Sequence, residues 1–269
     1  MVLLIVLILF IALGLYNPLS VTRIHISSDK IDVPVRIALV SDLHSCRYGD
    51  QQKELIDAIN QQAPDLICLT GDIFDDALPN DNTEIFLLAV SVKYPCYYVT
   101  GNHEFWAGEQ GFQEQMRILD QYGVTRLCND SREIEVNGQK ISICGADDPV
   151  SDLYTDTYHL NEALADIKAG LQSDAFTLLL SHRPERFSSY AEYGFDLTLC
   201  GHAHGGQWRI PFILEGGLYA PNQGMFPTYT GGLYSSGDTR MVVSRGLARE
   251  STGLPRFYNR PEIVIIEID

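Results

Sequence analysis

Five short apolar runs in this chain are each followed at once by a turn that carries aspartate, asparagine or histidine. The runs cover residues 33–40, 66–70, 96–100, 176–180 and 195–200. The first three alternate with helical segments at the spacing of β-α-β units, which predicts a core sheet that is largely parallel. Because parallel strands end at the same edge of a sheet, we expect the polar side chains of these turns to lie together.

The fifth run leads into the segment 201–207, in which His202 and His204 lie between glycines. Imidazole is the commonest nitrogen ligand of transition metals in proteins. If the chain is extended here, alternate side chains share one side, which predicts that the two imidazoles point the same way. This segment alone is also consistent with a glycine-rich loop that carries two surface histidines.

Together the five turns offer seven side chains that can bind metal ions. Each one alone is more typical of a turn former or a hydrogen-bonded histidine. The mixture of imidazole, carboxylate and amide oxygen, however, suits divalent Mn, Fe or Zn. Seven ligands are too many for one tetrahedral site and fit two ions with open positions. These candidate metal ligands are Asp42, His44, Asp72, Asn102, His182, His202 and His204.

Composition narrows the class of protein further. The net charge of −16 argues against broad binding of a nucleic-acid backbone, so no nucleic-acid partner is expected. The six cysteines form no CxxC pair, which argues against a zinc knuckle or a thioredoxin-like site. Residues 133–143 alternate polar and apolar side chains about Asn137-Gly138, which predicts a hairpin in a second sheet. No linker divides residues 22–269, so we expect one domain there.

Residues 2–16 form an unbroken apolar run that contains one glycine. As a helix this run spans about 22 Å, short of the ~30 Å hydrocarbon core, although extension through residues 19–21 would close the gap. A buried helix or strand and a cleaved signal peptide are the alternatives, but no basic segment precedes the run. We predict an uncleaved membrane anchor over residues 1–21. Arg23, Lys30 and Arg36 follow the run, which favours a catalytic domain on the cytoplasmic face of the cell membrane.

The order of the motifs resembles the calcineurin-like metallophosphoesterases. The motifs are Asp42-x-His44, Gly71-Asp72, Gly101-Asn102-His103-Glu104, His182 and Gly201-His202-x-His204. The apolar N-terminus and residues 201–211 and 244–263 further resemble a membrane-associated bacterial phosphodiesterase branch, which includes UDP-2,3-diacylglucosamine pyrophosphatases. The resemblance covers essentially residues 22–269. It implies an α/β fold, a four-layer α/β/β/α sandwich of two mixed sheets.

The resemblance also implies roles for individual residues. Two divalent ions are expected, with Mn favoured and Fe or Zn as alternatives. In the family, a hydroxide that bridges the ions attacks phosphorus in line, and His103 here corresponds to the residue that protonates the leaving group or contacts the phosphate. Glu104 and Asp75 are either residues that orient ligands or ordinary loop carboxylates. By correspondence, Asp42, His44 and His204 hold one ion, Asn102, His182 and His202 hold the other, and Asp72 bridges both.

These observations predict a metal-dependent hydrolase of a phosphodiester or pyrophosphate, on a lipid-linked or nucleotide-sugar-lipid substrate at the membrane. Two alternatives remain: a serine/threonine-type protein phosphatase with the same metal core, and a non-catalytic membrane-tethered binding module. Arg47, Arg183 and Arg209 are candidates for contact with phosphate, or ordinary charges of the fold. The aromatic segment 208–234 either forms a wall over the metals that accepts an acyl chain or sugar, or packs the fold.

Overall fold

A computed structural model describes residues 1–150, 160–171, 174–249 and 253–269 of the chain. Its first sheet is mixed: the last strand of the chain lies antiparallel to its neighbour on one side and parallel to the first strand on the other. The remaining four strands are parallel, as predicted. In spatial order the strands are β1 (Ser20–Ile26), β14 (Glu262–Ile268), β2 (Val35–Val40), β3 (Leu66–Thr70), β4 (Cys96–Val99) and β5 (Thr125–Arg126).

The second sheet also has six strands and is also mixed, with four parallel strands between two antiparallel edge strands. The predicted hairpin forms one edge, and Asn137 and Gly138 both have positive φ, as a tight two-residue turn requires. In spatial order the strands are β12 (Gly232–Ser236), β13 (Thr239–Val243), β9 (Leu197–Cys200), β8 (Phe176–Ser181), β7 (Gln139–Ala146) and β6 (Asp130–Val136).

Three hydrophobic cores show how the layers stack. Along β2, Ala38 packs with the helices outside the first sheet and Leu39 packs against the second sheet, because successive side chains of a strand face opposite ways. The third core lies between the second sheet and its own helices. Three cores imply four layers, α/β/β/α. The outer helices are α2 (Lys53–Asn60), α3 (Asp81–Ser91) and α5 (Gly108–Gln121) on one side, and α6 (Leu160–Ala169) and α7 (Phe187–Glu192) on the other.

The N-terminal run forms helix α1 (Val2–Leu15), and its length corrects the sequence prediction. Its 14 residues span about 21 Å. The proposed extension through residues 19–21 is wrong, because β1 begins at Ser20 and pairs with β14. Pro18, which lacks a backbone N–H, lies three residues after the helix end. Across the four described ranges, no helix is long and apolar enough to cross a membrane.

Two further features position the functional site. The short helix α4 (Asn102–Trp106) begins directly after β4 and carries the third motif. The aromatic segment 208–234 folds over the end of β9 and includes a small hairpin of β10 (Tyr219–Ala220) and β11 (Gly224–Met225). Part of the C-terminal motif at 244–263, residues 250–252, lies outside the described residues.

Candidate metal centre

The seven predicted ligands lie in five turns at the carboxyl ends of β2, β3, β4, β8 and β9, so both sheets contribute. The turns approach each other closely: a Cβ on Gly201 would lie 1.8 Å from the Ser41 hydroxyl oxygen. Only glycine fits there. His182 Nδ1 likewise lies 2.7 Å from the carbonyl oxygen of Thr70, across the two sheets. Tertiary packing therefore brings together motifs that are more than 100 residues apart.

Five of the predicted ligands have left-handed backbones, which non-glycine residues rarely adopt. Such strained conformations persist when the surrounding structure requires them, and they are concentrated at functional sites. They also overturn one prediction: because neither His202 nor His204 is extended, alternation does not apply, and their imidazoles point to different partners. The φ angles are 51° at Asp42, 48° at His44, 51° at Asp72, 65° at His202 and 46° at His204.

One cluster of possible ligand atoms contains Asp42, His44 and His204, whose donor atoms lie within 4.8 Å of one another. His204 Nε2 lies 3.9 Å from Asp42 Oδ1, and the imidazole of His204 stacks on that of His44 at 5.4 Å between ring centroids. These are the residues that the resemblance assigned to the first ion. Their spacing is suitable for shared coordination of one cation.

A second cluster contains Asp72, His182 and His202. His182 Nε2 lies 3.0 Å from Asp72 Oδ2 and 3.2 Å from His202 Nδ1. Asp72 is also 3.7 Å from His44 Nε2, which places its carboxylate between the two clusters. Asn102 lies between two residues that contact Asp72. The backbone of Gly101 packs against Asp72, and the backbone N–H of His103 donates to Asp72 Oδ1. All seven predicted ligands are thus gathered at one place.

Unpaired polar atoms show that this arrangement fits metal ions. Buried oxygen and nitrogen atoms ordinarily have hydrogen-bond partners, and leaving one without a partner destabilises the fold. Within the described ranges, several atoms of the predicted ligands are buried and unpaired, and carboxylate, amide and imidazole atoms of this kind are the donors of a divalent-ion site. These atoms include Asp42 Oδ2, His44 Nε2, Asn102 Oδ1 and His204 Nδ1.

The electrostatics of the centre also favour cations. Burial opposes the ionised form of Asp72, but His182 outweighs it and holds the pKa of Asp72 well below its usual range. Burial lowers the pKa of His182, but Asp72 outweighs this effect and raises it to about 10, so His182 supplies the positive charge beside Asp72 and would release its proton on binding an ion. Burial keeps the pKa values of His202 and His204 well below their usual range, so both imidazoles are neutral. Neutral imidazole is the form that binds metal.

Glu104 is fully buried and ties two of the turns together. Its carboxylate accepts hydrogen bonds from the backbone N–H groups of Gly101 (2.7 Å), Asp72 (3.0 Å), Ile73 (2.9 Å) and Phe74 (3.2 Å). Of the two alternatives for this residue, these contacts favour the positioning role over that of an ordinary loop carboxylate: Glu104 shapes the backbone that presents Asp72. Asp75 also orients a predicted ligand, because its Oδ2 lies 3.1 Å from Nδ1 of His44.

Glu104→Ala is expected to lower the free energy of unfolding by about 3–5 kcal/mol, because buried N–H groups are left without an acceptor. Denaturant unfolding followed by circular dichroism measures this loss. Glu109→Ala, at an exposed glutamate of α5, is the matched control and should change the value by less than ~0.5 kcal/mol. Equal stability of the two variants would contradict a structural role for Glu104.

A chain of contacts holds the imidazole of His202. Its Nε2 lies 2.9 Å from Asn222 Oδ1, which leaves Nδ1 to face the second cluster. Arg183 donates to the same Asn222 oxygen, and its guanidinium is bound in turn by the buried carboxylate of Asp148. Sequence reasoning missed Asn222 and Asp148. Asn222 lies in the turn between β10 and β11, where the sequence shows only an ordinary Pro-Asn turn.

Asn222→Ala is expected to weaken binding of the second divalent ion about tenfold, because His202 loses the acceptor that orients it. Titration calorimetry with Mn²⁺ on metal-free protein measures the change. Asn222→Asp keeps an acceptor oxygen at the same position and should retain most of the affinity. If the alanine variant binds both ions as tightly as the unchanged protein, Asn222 has no such role.

His103 lies at the mouth of the centre with its side chain 20% exposed. Its Nδ1 is 2.6 Å from Asp76 Oδ1, and its ring contacts those of His44 and Trp106.

The three arginines that the sequence offers for contact with phosphate differ in their exposure and partners. Arg183 and Arg209 are engaged in the fold, the latter by donating to the carbonyl oxygen of Gly205. Arg47 is the exposed one, with its side chain 65% exposed.

An apolar surface cavity of about 280 Å³ adjoins the first cluster. It shares His204 with that cluster, and its aromatic and aliphatic walls come from the segment 208–234 and from the C-terminal loop. Two of the residues that line the cavity are largely exposed to solvent, Tyr219 to 51% and Leu254 to 60%. The cavity is lined by His204, Gln207, Tyr219, Pro221, Gly253 and Leu254.

Comparison with known proteins is consistent with this geometry. The sequence pattern of the family described as "Calcineurin-like phosphoesterase" matches residues 35–206, which include every predicted ligand. The chain is 31% identical over 240 residues to the uncharacterized metallophosphoesterase YkuE of Bacillus subtilis, covering 87% of this chain and 78% of that protein. It is 28% identical to the phosphodiesterase YaeI of Escherichia coli, over 87% of this chain and 82% of that protein.

Solved structures share the fold at low sequence identity. NAD nucleotidase from Haemophilus influenzae superimposes with a TM-score of 0.55 at 15% identity, over 81% of this chain. This chain spans 46% of that longer protein. Phosphopantetheinyl hydrolase from Mycobacterium tuberculosis superimposes with a TM-score of 0.50 at 15% identity, over 81% of this chain and 92% of that one. These likenesses concern the arrangement of layers and strands.

Proposed function

The chain belongs to the calcineurin-like phosphoesterase family and is therefore a hydrolase of phosphate esters, and we propose that its substrate is a lipid-linked phosphodiester or pyrophosphate. The observation that carries this proposal is the apolar cavity that shares His204 with the metal centre. A phosphate held at the centre has one of its organic groups within reach of this cavity. A diester or pyrophosphate supplies such a group together with a second one that leaves.

The lining of the cavity supports an apolar organic group. Exposed aromatic and aliphatic side chains beside an active site are buried when a substrate of matching polarity binds, and that burial contributes to affinity. Tyr219, Pro221 and Leu254 supply such surface, and no lysine or arginine lines the cavity among the described residues. The name of the relative YaeI, a phosphodiesterase, is consistent with a diester.

The roles of this chain's residues follow from their positions. Two divalent ions, Mn²⁺ by the chemistry of the donors or else Fe or Zn, would activate water near neutral pH and would offset negative charge on the phosphate. Asp42, His44 and His204 would hold one ion, and Asp72 would face both. His103, outside the ligand set, orients its ring through Asp76 and presents its other nitrogen to the leaving oxygen.

Turnover of model esters tests the proposal. With added Mn²⁺, we expect the protein to hydrolyse bis-p-nitrophenyl phosphate faster than p-nitrophenyl phosphate; the opposite order would favour a phosphomonoesterase such as a protein phosphatase. Leu254→Asp should raise KM for a diester with a long alkyl chain and leave KM for its methyl analogue unchanged. Leu88→Asp, on an exposed face of α3, is the control. Equal effects on both esters would contradict binding of the alkyl chain in the cavity.

The membrane context of the predicted branch remains part of the proposal and is supported by helix α1. From Val2 to Leu15 it carries no charged or polar side chain, and apart from Gly14 its residues are exposed to solvent. Exposed apolar surface of this extent is typical of a lipid-facing segment. We infer that α1 enters the bilayer, with the catalytic domain of residues 22–269 on the cytoplasmic side.

Vesicle co-sedimentation tests the membrane contact of α1. The full chain should sediment with vesicles of phosphatidylcholine and phosphatidylglycerol, and Leu7→Asp combined with Leu9→Asp should abolish sedimentation, because charged groups are costly to bury in hydrocarbon. Leu88→Asp again serves as the control. Equal sedimentation of the two variants would contradict a lipid contact through α1. Protease protection in spheroplasts reports which side of the membrane the domain occupies.

A further inference from the structure

A second exposed apolar feature lies in the turn at residues 210–214. Its sequence, Ile-Pro-Phe-Ile-Leu, contains no polar side chain. At its tip Phe212 is 95% exposed and Ile213 is 80% exposed. The turn is closed by the bridge between Ile210 and Leu214, whose N–H donates to the Ile210 carbonyl at 2.7 Å. Phe212 has a φ of 67°, a strained conformation for a bulky residue that holds the tip in this shape.

The base of this turn is joined to helix α1 through one residue, Phe257. The backbone N–H of Arg209 donates to the Phe257 carbonyl at 2.8 Å, and the ring of Trp208 lies 6.0 Å from that of Phe257. On its other side, Phe257 packs against Gly14 and lies 5.6 Å from the ring of Phe10. Phe212 is three residues from Arg209 and hence within about 10 Å of it. The turn and helix α1 therefore lie next to each other on the surface, and both pack against Phe257; we call this region the Phe257 patch.

We propose that the turn 210–214 is a second membrane contact, which inserts Phe212 and Ile213 into the bilayer beside α1. This inference rests on the proposed membrane contact of α1. It adds that the catalytic domain is held at one depth and in one orientation relative to the bilayer. A helix fixed to a protein body at one end can pivot. Two adjacent insertions restrict that motion and hold one face of the catalytic domain against the lipid.

The charges around the patch favour a bilayer over a protein partner. Protein grooves cover one face of a helix, whereas α1 is apolar on every face and needs apolar surroundings all round. At its foot, Arg260 lies 5.7 Å from the ring of Tyr16, and Arg249 donates to the carbonyl of Asn17. Arginine and tyrosine at the boundary of an apolar segment match the phosphate and interfacial levels of a membrane. In a chain of net charge −16, these cations are placed where anionic headgroups would lie.

The turn also lies beside the cavity proposed to receive an apolar group. The indole N–H of Trp208 donates to the carbonyl of Pro255 at 2.9 Å, next to Leu254 in the cavity wall. Gln207 lines the cavity and bonds the Leu254 carbonyl. Insertion of the turn therefore brings the mouth of the cavity towards the lipid, from which a lipid-linked substrate would enter.

Trp208 gives a direct reading of the proposed contact. The chain has two tryptophans, so Trp106→Phe leaves Trp208 as the single tryptophan, two residues from the turn, and excitation at the red edge of its absorption avoids the tyrosines. On addition of phosphatidylcholine/phosphatidylglycerol vesicles, we expect a blue shift of its emission and quenching by lipids brominated near the headgroup end of the chain. Adding Phe212→Asp and Ile213→Asp should reduce the quenching at least threefold, while α1 keeps the protein on the vesicles. Leu88→Asp with Val92→Asp, at exposed positions in α3 and directly after it, should leave the quenching unchanged.

The outcomes separate this inference from the proposals on which it rests. Co-sedimentation without quenching of Trp208 would overturn the turn contact and leave the α1 contact standing. Failure to co-sediment would overturn both membrane contacts, whereas loss of ester hydrolysis alone would affect neither. A blue shift that depends on protein concentration without lipid would show that a second copy covers the turn and would overturn the proposal. Hydrolysis of soluble bis-p-nitrophenyl phosphate equal to that of Trp106→Phe alone confirms that the turn variant is folded.

Discussion

Asp72→Ala is expected to lower kcat/KM for bis-p-nitrophenyl phosphate by at least ~10³-fold. Asp72 is the one predicted ligand whose carboxylate lies within reach of His44 in one cluster and His182 in the other. Its Oδ1 also accepts a hydrogen bond from the backbone N–H of His103. The carboxylate of Asp72 therefore positions the residue whose imidazole is the proposed proton donor. Loss of this carboxylate therefore removes a shared ligand and loosens the third turn.

Metal analysis distinguishes this account from a general loss of structure. Mass spectrometry of purified protein should show two divalent ions in the unchanged protein and fewer in Asp72→Ala, with far-ultraviolet circular dichroism unaltered. Asp57→Ala, at a half-exposed aspartate of α2, is the control and should keep both ions and full turnover. If Asp72→Ala retains two ions and normal turnover, the assignment of the metal centre is wrong.

His103→Ala is expected to lower kcat by about 10²–10⁴-fold for a diester with an alkyl alcohol as leaving group, because an alkoxide needs a proton as it departs. The effect should be much smaller for p-nitrophenol, which leaves readily as its anion. His103 is suited to this task because it is partly exposed at the mouth of the centre and is held by Asp76 at 2.6 Å.

The dependence on leaving group is the decisive comparison for His103. Equal losses for alkyl and p-nitrophenyl esters would show that His103 contacts the phosphate and does not protonate the leaving group. Asp76→Asn keeps the side-chain shape but weakens the contact to Nδ1, and it should show the same selective pattern at a smaller size. Metal content should be unchanged in both variants, since His103 lies outside the predicted ligand set.

Most of the fold was predictable because its signals are local. Apolar runs such as 66–70 are buried on both faces of a sheet and read as strands, and the Asn137-Gly138 hairpin follows from two residues that tolerate positive φ. The end of α1 was not predictable in the same way. Apolar character continues into Leu19 and Val21, but β1 already begins at Ser20, because β14, from the other end of the chain, pairs with it.

The amino-acid sequence alone was enough to predict which residues meet at the centre, because a polar residue directly after a parallel strand can lie only at the carboxyl edge of the sheet. The local pattern alone predicted that His202 and His204 point the same way, and only the family resemblance assigned them to different ions. The structure separates them through left-handed backbones, which the close contact of the two sheets maintains. The sequence also did not indicate Asn222, Asp148 or the Phe257 patch, each of which acts through residues distant in the chain. The identity of the ligand residues can be predicted from short sequence motifs. The orientation of their side chains and the position of the apolar surface depend on contacts that exist only after the chain has folded.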